Sequence, residues 1–95
     1  MYKRQVTNIA NVSSLSMFPN PTSANTFVQM DLVESAEVTI NIISVTGQLV
    51  SSQNLGDIKT ETIELPTQDL PAGVYLIQMN IGEEQITQRL IVSKN

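Results

Sequence analysis

The sequence contains no cysteine and no histidine, so it has no disulfide framework and no thiolate chemistry. The commonest metal ligands and the commonest general base are missing together. Nucleophilic catalysis needs a base beside a serine, threonine or lysine, and the usual partner for such a pair is absent. Aromatic residues make up only 4% of the chain, namely Tyr2, Phe18, Phe27 and Tyr75, which leaves no obvious planar platform for a sugar. Charged residues are 15%. From residue 13 onward only Lys59, Arg89 and Lys94 oppose nine carboxylates, an acidic excess that disfavours non-specific binding to nucleic acid or anionic lipid. No apolar run approaches the roughly 20 residues that a membrane helix needs. Residues 1–10 carry two basic side chains with no long apolar stretch behind them, so no export signal is expected there. Together these absences predict a protein that is not an enzyme, takes no cofactor or metal, and has neither nucleic acid nor a membrane span among its partners.

What is present is enough to fold. Hydrophobic residues are 41% of 95, which predicts one compact domain with a thin core and modest stability. Residues 1–12 show no period and are rich in Asn and Thr; they read as a disordered linker or remnant, leaving 13–95 as the folded unit. Leu15 and Met17 alternate with serines until Pro19 stops the first strand. Val28, Met30 and Leu32 share one face of a second strand, with Gln29 and Asp31 on the other, and Glu34 to Ala36 is expected to close it. Val38, Ile40 and Ile42 mark a third strand, joined through Thr46-Gly47 to a fourth over Gln48 to Ser52 in the clearest hairpin of the chain. Asn54 to Asp57 reads as a turn, Thr60 to Leu65 as the next strand, and Pro66 as its end. Tyr75, Ile77, Met79 and Ile81 share a face, Gly82 to Glu84 turns, and Ile86, Leu90 and Val92 follow in the last strand. About seven short strands with turn signals every eight to twelve residues, and no helical stripe, predict an all-β, Ig-like antiparallel sandwich with Greek-key-like connections.

No cluster of side chains carries a chemistry of its own. Glu83 and Glu84 are adjacent, so on a strand they point to opposite faces, and they fit a solvated turn better than an acid–base pair. Asp31, Glu34, Glu37 and Asp57 offer oxygen ligands of the kind calcium takes, but no loop has the ligand spacing with a glycine at the bend. Tyr75 fits a core aromatic whose hydroxyl reaches the sheet rim. Gly47 and Gly73 sit where turns need positive φ.

The turns are more specific than the strands. In Phe18-Pro19-Asn20-Pro21 two prolines fix φ and remove two donors, making a rigid turn that cannot pair inside a sheet. About fifty residues later Leu70-Pro71-Ala72-Gly73-Val74-Tyr75 sets a turn corner, supplies a glycine and launches a strand. Val45-Thr46-Gly47 lies between them, and the chain closes on Gln88-Arg89-Leu90-Ile91-Val92 with Lys94 behind.

These blocks, in this order over residues 13 to 95, resemble the C-terminal sorting domain of cargo of the type IX secretion system of Bacteroidetes-type bacteria, the type A or Por secretion tail family. The resemblance implies a secretion address, with Pro19, Asn20, Pro21, Gly47, Leu70, Pro71, Gly73 and Tyr75 shaping the turns and Arg89, Leu90, Ile91, Val92 and Lys94 forming the recognised end. It implies a type IX translocon and a sortase-like surface peptidase as partners, an upstream cargo domain in the same chain, and passage through periplasm and outer membrane to the surface or medium. The cut is expected within residues 6 to 14, and the cargo is then anchored on an anionic lipopolysaccharide or released. The chain then reads as the tail of a longer protein whose signal peptide lies upstream. The extended terminal segment, with unpaired backbone groups, branched side chains and two cations, suits reading by strand addition and also homodimerisation through an edge. The middle turn has Val45-Thr46 where the family often has aspartate, and the end has one Arg and one Lys where a lysine-rich version is common. The rival readings are a non-catalytic Ig-like spacer and a carbohydrate-binding module of a secreted protein.

Overall fold

The computed structural model describes residues 11–93. They form five strands, β1 (Val12–Phe18), β2 (Thr26–Ser44), β3 (Leu49–Leu65), β4 (Gly73–Ile81) and β5 (Glu84–Val92), with no helix among the described residues. All ladders are antiparallel, in the order β1-β2-β4-β5, with β3 on the remaining side of β2. The first part of β2 lies between β1 and the end of β3, and its second part lies between the start of β3 and β4. The sheet therefore curls as a half-barrel around one core, its first layer made by β1, the first part of β2 and the end of β3, and its second layer by the rest of β2 and β3 with β4 and β5.

Five strands replace the seven expected because two of the predicted breaks are bulges inside continuous strands. Between Asp31 and Ala36 the β2–β3 register slips, so Leu32 to Ser35 face Lys59 alone across the ladder. That surplus bends β2 instead of ending it. Val33, Glu34 and Ser35 are all exposed, Val33 at 53%, and this run is what breaks the alternation. The Asn54 to Asp57 segment is a second bulge: Thr39 pairs with Asn54 and Val38 with Gly56, leaving Leu55 as the extra residue. The Asn54 side chain accepts the Gly56 amide at 3.0 Å, and Gly56 takes φ +69°. An Asn-x-Gly signal that normally marks a turn here re-aims a strand.

The faces of the strands follow the period of two. Val28, Met30 and Leu32, then Val38, Ile40 and Ile42, are buried from β2, with Tyr75, Ile77, Met79 and Ile81 from β4 and Leu90 and Val92 from β5. Ile63 and Leu65 close the core from β3, and Leu15, Met17, Leu55, Ile58, Leu70 and Ile86 pack at its margin. Fully burying a side chain of this kind stabilises by about 1.5–3 kcal/mol before the entropy cost is counted. The β2–β3 connection is a tight loop in which the Gly47 amide donates to Ser44 O at 2.9 Å and Ser44 N donates to Gln48 O at 2.9 Å. Gly47 stands at φ +92°, where a side chain is strained. Among the described residues no helix is long and apolar enough to cross a membrane.

Candidate recognition corner at the end of the terminal strand

The four blocks that stand out in the sequence gather at one end of the molecule. Gly73 opens β4 opposite Val92, the last residue of β5. Ser44, which starts the Gly47 turn, is paired with Tyr75. The proline block reaches the same place from the other layer, through a bridge between Thr22 and Val92.

The closest link runs through Asn20. Its side-chain Nδ2 donates to Arg89 O at 2.9 Å, and its Oδ1 accepts the Ile91 amide at 3.0 Å. One carboxamide thus supplies the donor and the acceptor that a neighbouring strand would offer. The backbone continues the pattern, with Thr22 N donating to Ile91 O at 2.9 Å and Ser93 N donating to Thr22 O at 2.7 Å. Alternate residues of an antiparallel strand turn their N–H and C=O to opposite sides, so Gln85, Thr87, Arg89, Ile91 and Ser93 address the outer edge of β5. The Asn20 and Thr22 contacts occupy that edge from the Arg89 carbonyl onward. The sequence suggested unpaired backbone at this end; the structure shows it capped, and no strand among the described residues pairs with the outer edge over Gln85 and Thr87. The two X–Pro bonds of the block, Phe18-Pro19 and Asn20-Pro21, are both cis.

Replacing Asn20 by alanine removes both side-chain contacts at an exposed position. The expected loss is about 1–2 kcal/mol in urea unfolding. Hydrogen exchange at the Ile91 amide should accelerate, while that of Leu90, whose backbone turns toward β4, should change less. Equal protection of Ile91 in both proteins would show that the clamp contributes nothing.

Beneath the clamp lies a cluster of buried threonines that sequence reasoning missed. Thr22, Thr26 and Thr67 are 2%, 0% and 0% exposed. Thr67 Oγ1 donates to Ala24 O at 2.6 Å and lies 3.4 Å from Thr26 Oγ1; Thr22 Oγ1 donates to Ala24 O at 3.0 Å and Thr26 Oγ1 to Pro19 O at 3.4 Å. Asn25 adds two contacts, its Nδ2 donating to Glu64 Oε2 at 2.7 Å and its Oδ1 accepting the Gln68 amide at 2.9 Å. The loop after β3 is thereby fastened to the proline block. A threonine with a buried hydroxyl looks like any loop threonine in the sequence; its proximity to two proline-containing turns was the only signal.

The second turn is held from inside. Tyr75 is 7% exposed and its hydroxyl donates to Pro71 O at 2.7 Å, so its ring is core and its polar end ties the turn to β4. Leu70 packs at the core margin and its amide donates to Thr67 O at 3.2 Å.

Of the residues expected to form the recognised end, Leu90 and Val92 are 0% and 2% exposed and belong to the core. Arg89 and Ile91 face outward and are exposed. Lys94 lies outside the described residues. Asp31, Glu34, Glu37 and Asp57 are spread along β2 and β3, with Asp31 Oδ1 accepting the Thr60 hydroxyl at 2.9 Å and Glu37 opposite Asp57. Glu83 lies in the β4–β5 turn and Glu84 opens β5 opposite Ile81, both exposed.

The fold and this corner define an antiparallel β-domain that presents a capped terminal strand. The family model described as "Secretion system C-terminal sorting domain" matches residues 16–93, and the chain belongs to that family. It is a type IX secretion signal, one that directs export across the outer membrane to the cell surface or the medium. No curated protein matches the chain. Among solved structures it is similar to "dimeric latent PorU from Porphyromonas gingivalis", with a TM-score of 0.69 at 20% identity over 97% of this chain. The chain spans 10% of that protein's length, and at this identity the likeness concerns the fold alone.

Proposed function

We propose that residues 13–95 act as the address of an upstream cargo domain in the same polypeptide, with residues 1–12 as the linker between them. The observation that carries this reading is the match to the sorting-domain family together with the convergence of Asn20, Thr22 and Gly73 on the last strand. The domain is a substrate of the system and performs no chemistry itself. The translocon reads it in the folded state, and a sortase-like surface peptidase then removes it. We read this five-stranded sheet as an Ig-like, Greek-key-like sandwich, and the bends of β2 and β3 support that reading by giving each strand two segments.

In this reading Pro19, Asn20, Pro21, Gly47, Leu70, Pro71, Gly73 and Tyr75 shape and hold the corner, Leu90 and Val92 anchor the strand, and Arg89, Ile91 and Lys94 are what a receptor meets. The peptidase cuts before Asn11. From Val12 the chain is β1 and paired with β2, and Asn11 is itself fastened to the β2 bend, its Nδ2 donating to Glu34 O at 3.1 Å and its Oδ1 accepting the Glu34 amide at 2.8 Å. Proteases act on extended backbone that is free to enter their clefts, and the contacts of Asn11 and β1 speak against a cut in the later part of the expected window of 6 to 14. A homodimer through β5 has only the stretch over Gln85 and Thr87 to pair along, since Asn20 and Thr22 occupy the rest.

The test is a fusion of signal peptide, fluorescent reporter and the whole 95-residue chain in a bacterium with a working type IX system, beside the same fusion without Arg89 to Asn95. Reporter should reach the surface or medium only from the intact fusion, and mass spectrometry of the released tail should place its first residue at or before Asn11. Periplasmic retention of the intact, folded fusion would favour the spacer or carbohydrate-binding reading instead.

A further inference from the structure

We infer that the docking surface for the export machinery is the outer face of the second layer at its Arg89 end, and that its occupant is an apolar surface edged by carboxylates on a protein of that machinery. The inference rests on the reading of the chain as a sorting domain and names where and by what chemistry it is held. Across four strands the ladder sets Leu49, Ile43, Leu76 and Arg89 side by side, since Ile43 is opposite both Leu49 and Leu76, and Leu76 is opposite Arg89. Val74 and Ile91 form the next pair along. All six face away from the core. Leu49 is 58% exposed, Ile91 37% and Leu76 36%, and Ile43 and Val74 are half-buried. Directly opposed side chains on one face of a sheet lie about 5 Å apart, so this is one continuous apolar strip ending in a cation.

The rest of the face has a different character. The next two rows are amides and hydroxyls that satisfy one another: Ser52 Oγ donates to Asn41 Oδ1 at 2.7 Å, Asn41 Nδ2 to Gln78 Oε1 at 3.1 Å, and Gln85 Nε2 to Asn80 Oδ1 at 3.0 Å. Carboxylates enter only beyond them, at the Glu37–Asp57 pair. Glu37 is six residues along β2 from Ile43, which at strand rise is about 20 Å. Among the described residues Arg89 meets no carboxylate, although the domain as a whole is acidic.

That charge distribution selects the occupant. Two copies stacked through the apolar row would bury both Arg89 guanidinium groups beside a row that, among the described residues, carries no carboxylate, and an unpaired buried charge is costly. A partner that brings its own carboxylates to the border of an apolar patch satisfies the cation and covers the strip together. Arg89 and Ile91 are then read by their side chains on the sheet face while Asn20 keeps the backbone edge closed, so recognition needs no opening of the clamp.

The experiment uses the reporter fusion of the whole chain and measures the exported fraction, with circular dichroism and thermal melting of each purified variant as the folding check. Leu76→Gln and Arg89→Glu should each lower export roughly tenfold or more, as loss of a central interface contact does. Arg89→Lys, which keeps the charge, should restore most of it. Phe27→Gln, a comparably exposed apolar residue on the other layer, should leave export unchanged. The purified chain should be monomeric in light scattering. Folded Leu76→Gln and Arg89→Glu fusions exported at the wild-type level would overturn the inference and leave the sorting reading intact. A dimer dissociated by Leu76→Gln would overturn it in favour of a second copy on the same face. Retention of the wild-type fusion would overturn the sorting reading and this inference with it. Should Leu76→Gln not fold, exposed Arg89 with its lysine rescue decides alone.

Discussion

Replacing Leu90 by alanine is expected to lower the free energy of unfolding by about 2–5 kcal/mol, while alanine at the adjacent Ile91 should cost less than about 1 kcal/mol. The two residues are neighbours on one strand and similar in size, but Leu90 is 0% exposed and Ile91 37%. Truncating Leu90 removes apolar contacts with the core and leaves a cavity; truncating Ile91 removes contacts that are already half in water. A small domain with a thin core has little stability to lose, and in one of this length each kcal/mol shifts the melting temperature by about 4–8 °C. Leu90→Ala should therefore melt at least ~10 °C below wild type, or fail to fold at 37 °C, with Ile91→Ala close to wild type. Equal, small effects in urea unfolding would mean that β5 is not packed as the structure has it. The contrast also governs how truncations are read. Deleting the terminal strand removes Leu90 and Val92 from the core together with Arg89 and Ile91 from the surface, so a truncated tail loses its fold and its exposed face at once.

Thr67→Val should destabilise by about 1–3 kcal/mol although it leaves no hole. Valine matches threonine in shape, so the change removes one hydroxyl at a site that is 0% exposed. That hydroxyl donates to Ala24 O at 2.6 Å. The carbonyl keeps the Thr22 hydroxyl at 3.0 Å, which holds the cost toward the lower part of the range. The same substitution at exposed Thr62 should stay within about 0.5 kcal/mol. Thr67 joins the loop after β3 to the proline block, and that block holds β5 through Asn20 and Thr22. Thr67→Val should consequently raise hydrogen exchange at Ile91 and Ser93 beyond the global change in stability. Exchange that rises only by the global amount would uncouple the threonine cluster from the terminal strand.

The strand faces were legible because a half-buried strand writes its burial into every second residue. Val38, Ile40 and Ile42, and the run from Tyr75 to Ile81, could be assigned to the core from sequence, and so could the Gly47 hairpin. The bends of β2 and β3 were not legible. A bulge interrupts the side-chain period while the backbone remains a strand, so Val33 to Ser35 and Asn54 to Gly56 carry the same signal as a turn. The blocks around Asn20, Gly47, Gly73 and Arg89 were visible as turns and as an ending, but nothing local shows that Asn20 contacts a backbone 71 residues away. The same holds for Thr22, Thr26 and Thr67, whose side chains have no periodic neighbours to report burial. The terminal segment reads in the sequence as one recognised block; the structure divides it into buried Leu90 and Val92 and exposed Arg89 and Ile91, and the register against β4 puts Leu76 beside Arg89.

The measurement that tests the central claim most directly is export of a signal peptide–reporter–chain fusion in two strains of one bacterium, one with its type IX translocon and one without. The account predicts reporter on the surface or in the medium of the first strain and a folded fusion confined to the periplasm of the second. The same distribution in both strains, with the domain shown to be folded, would contradict it.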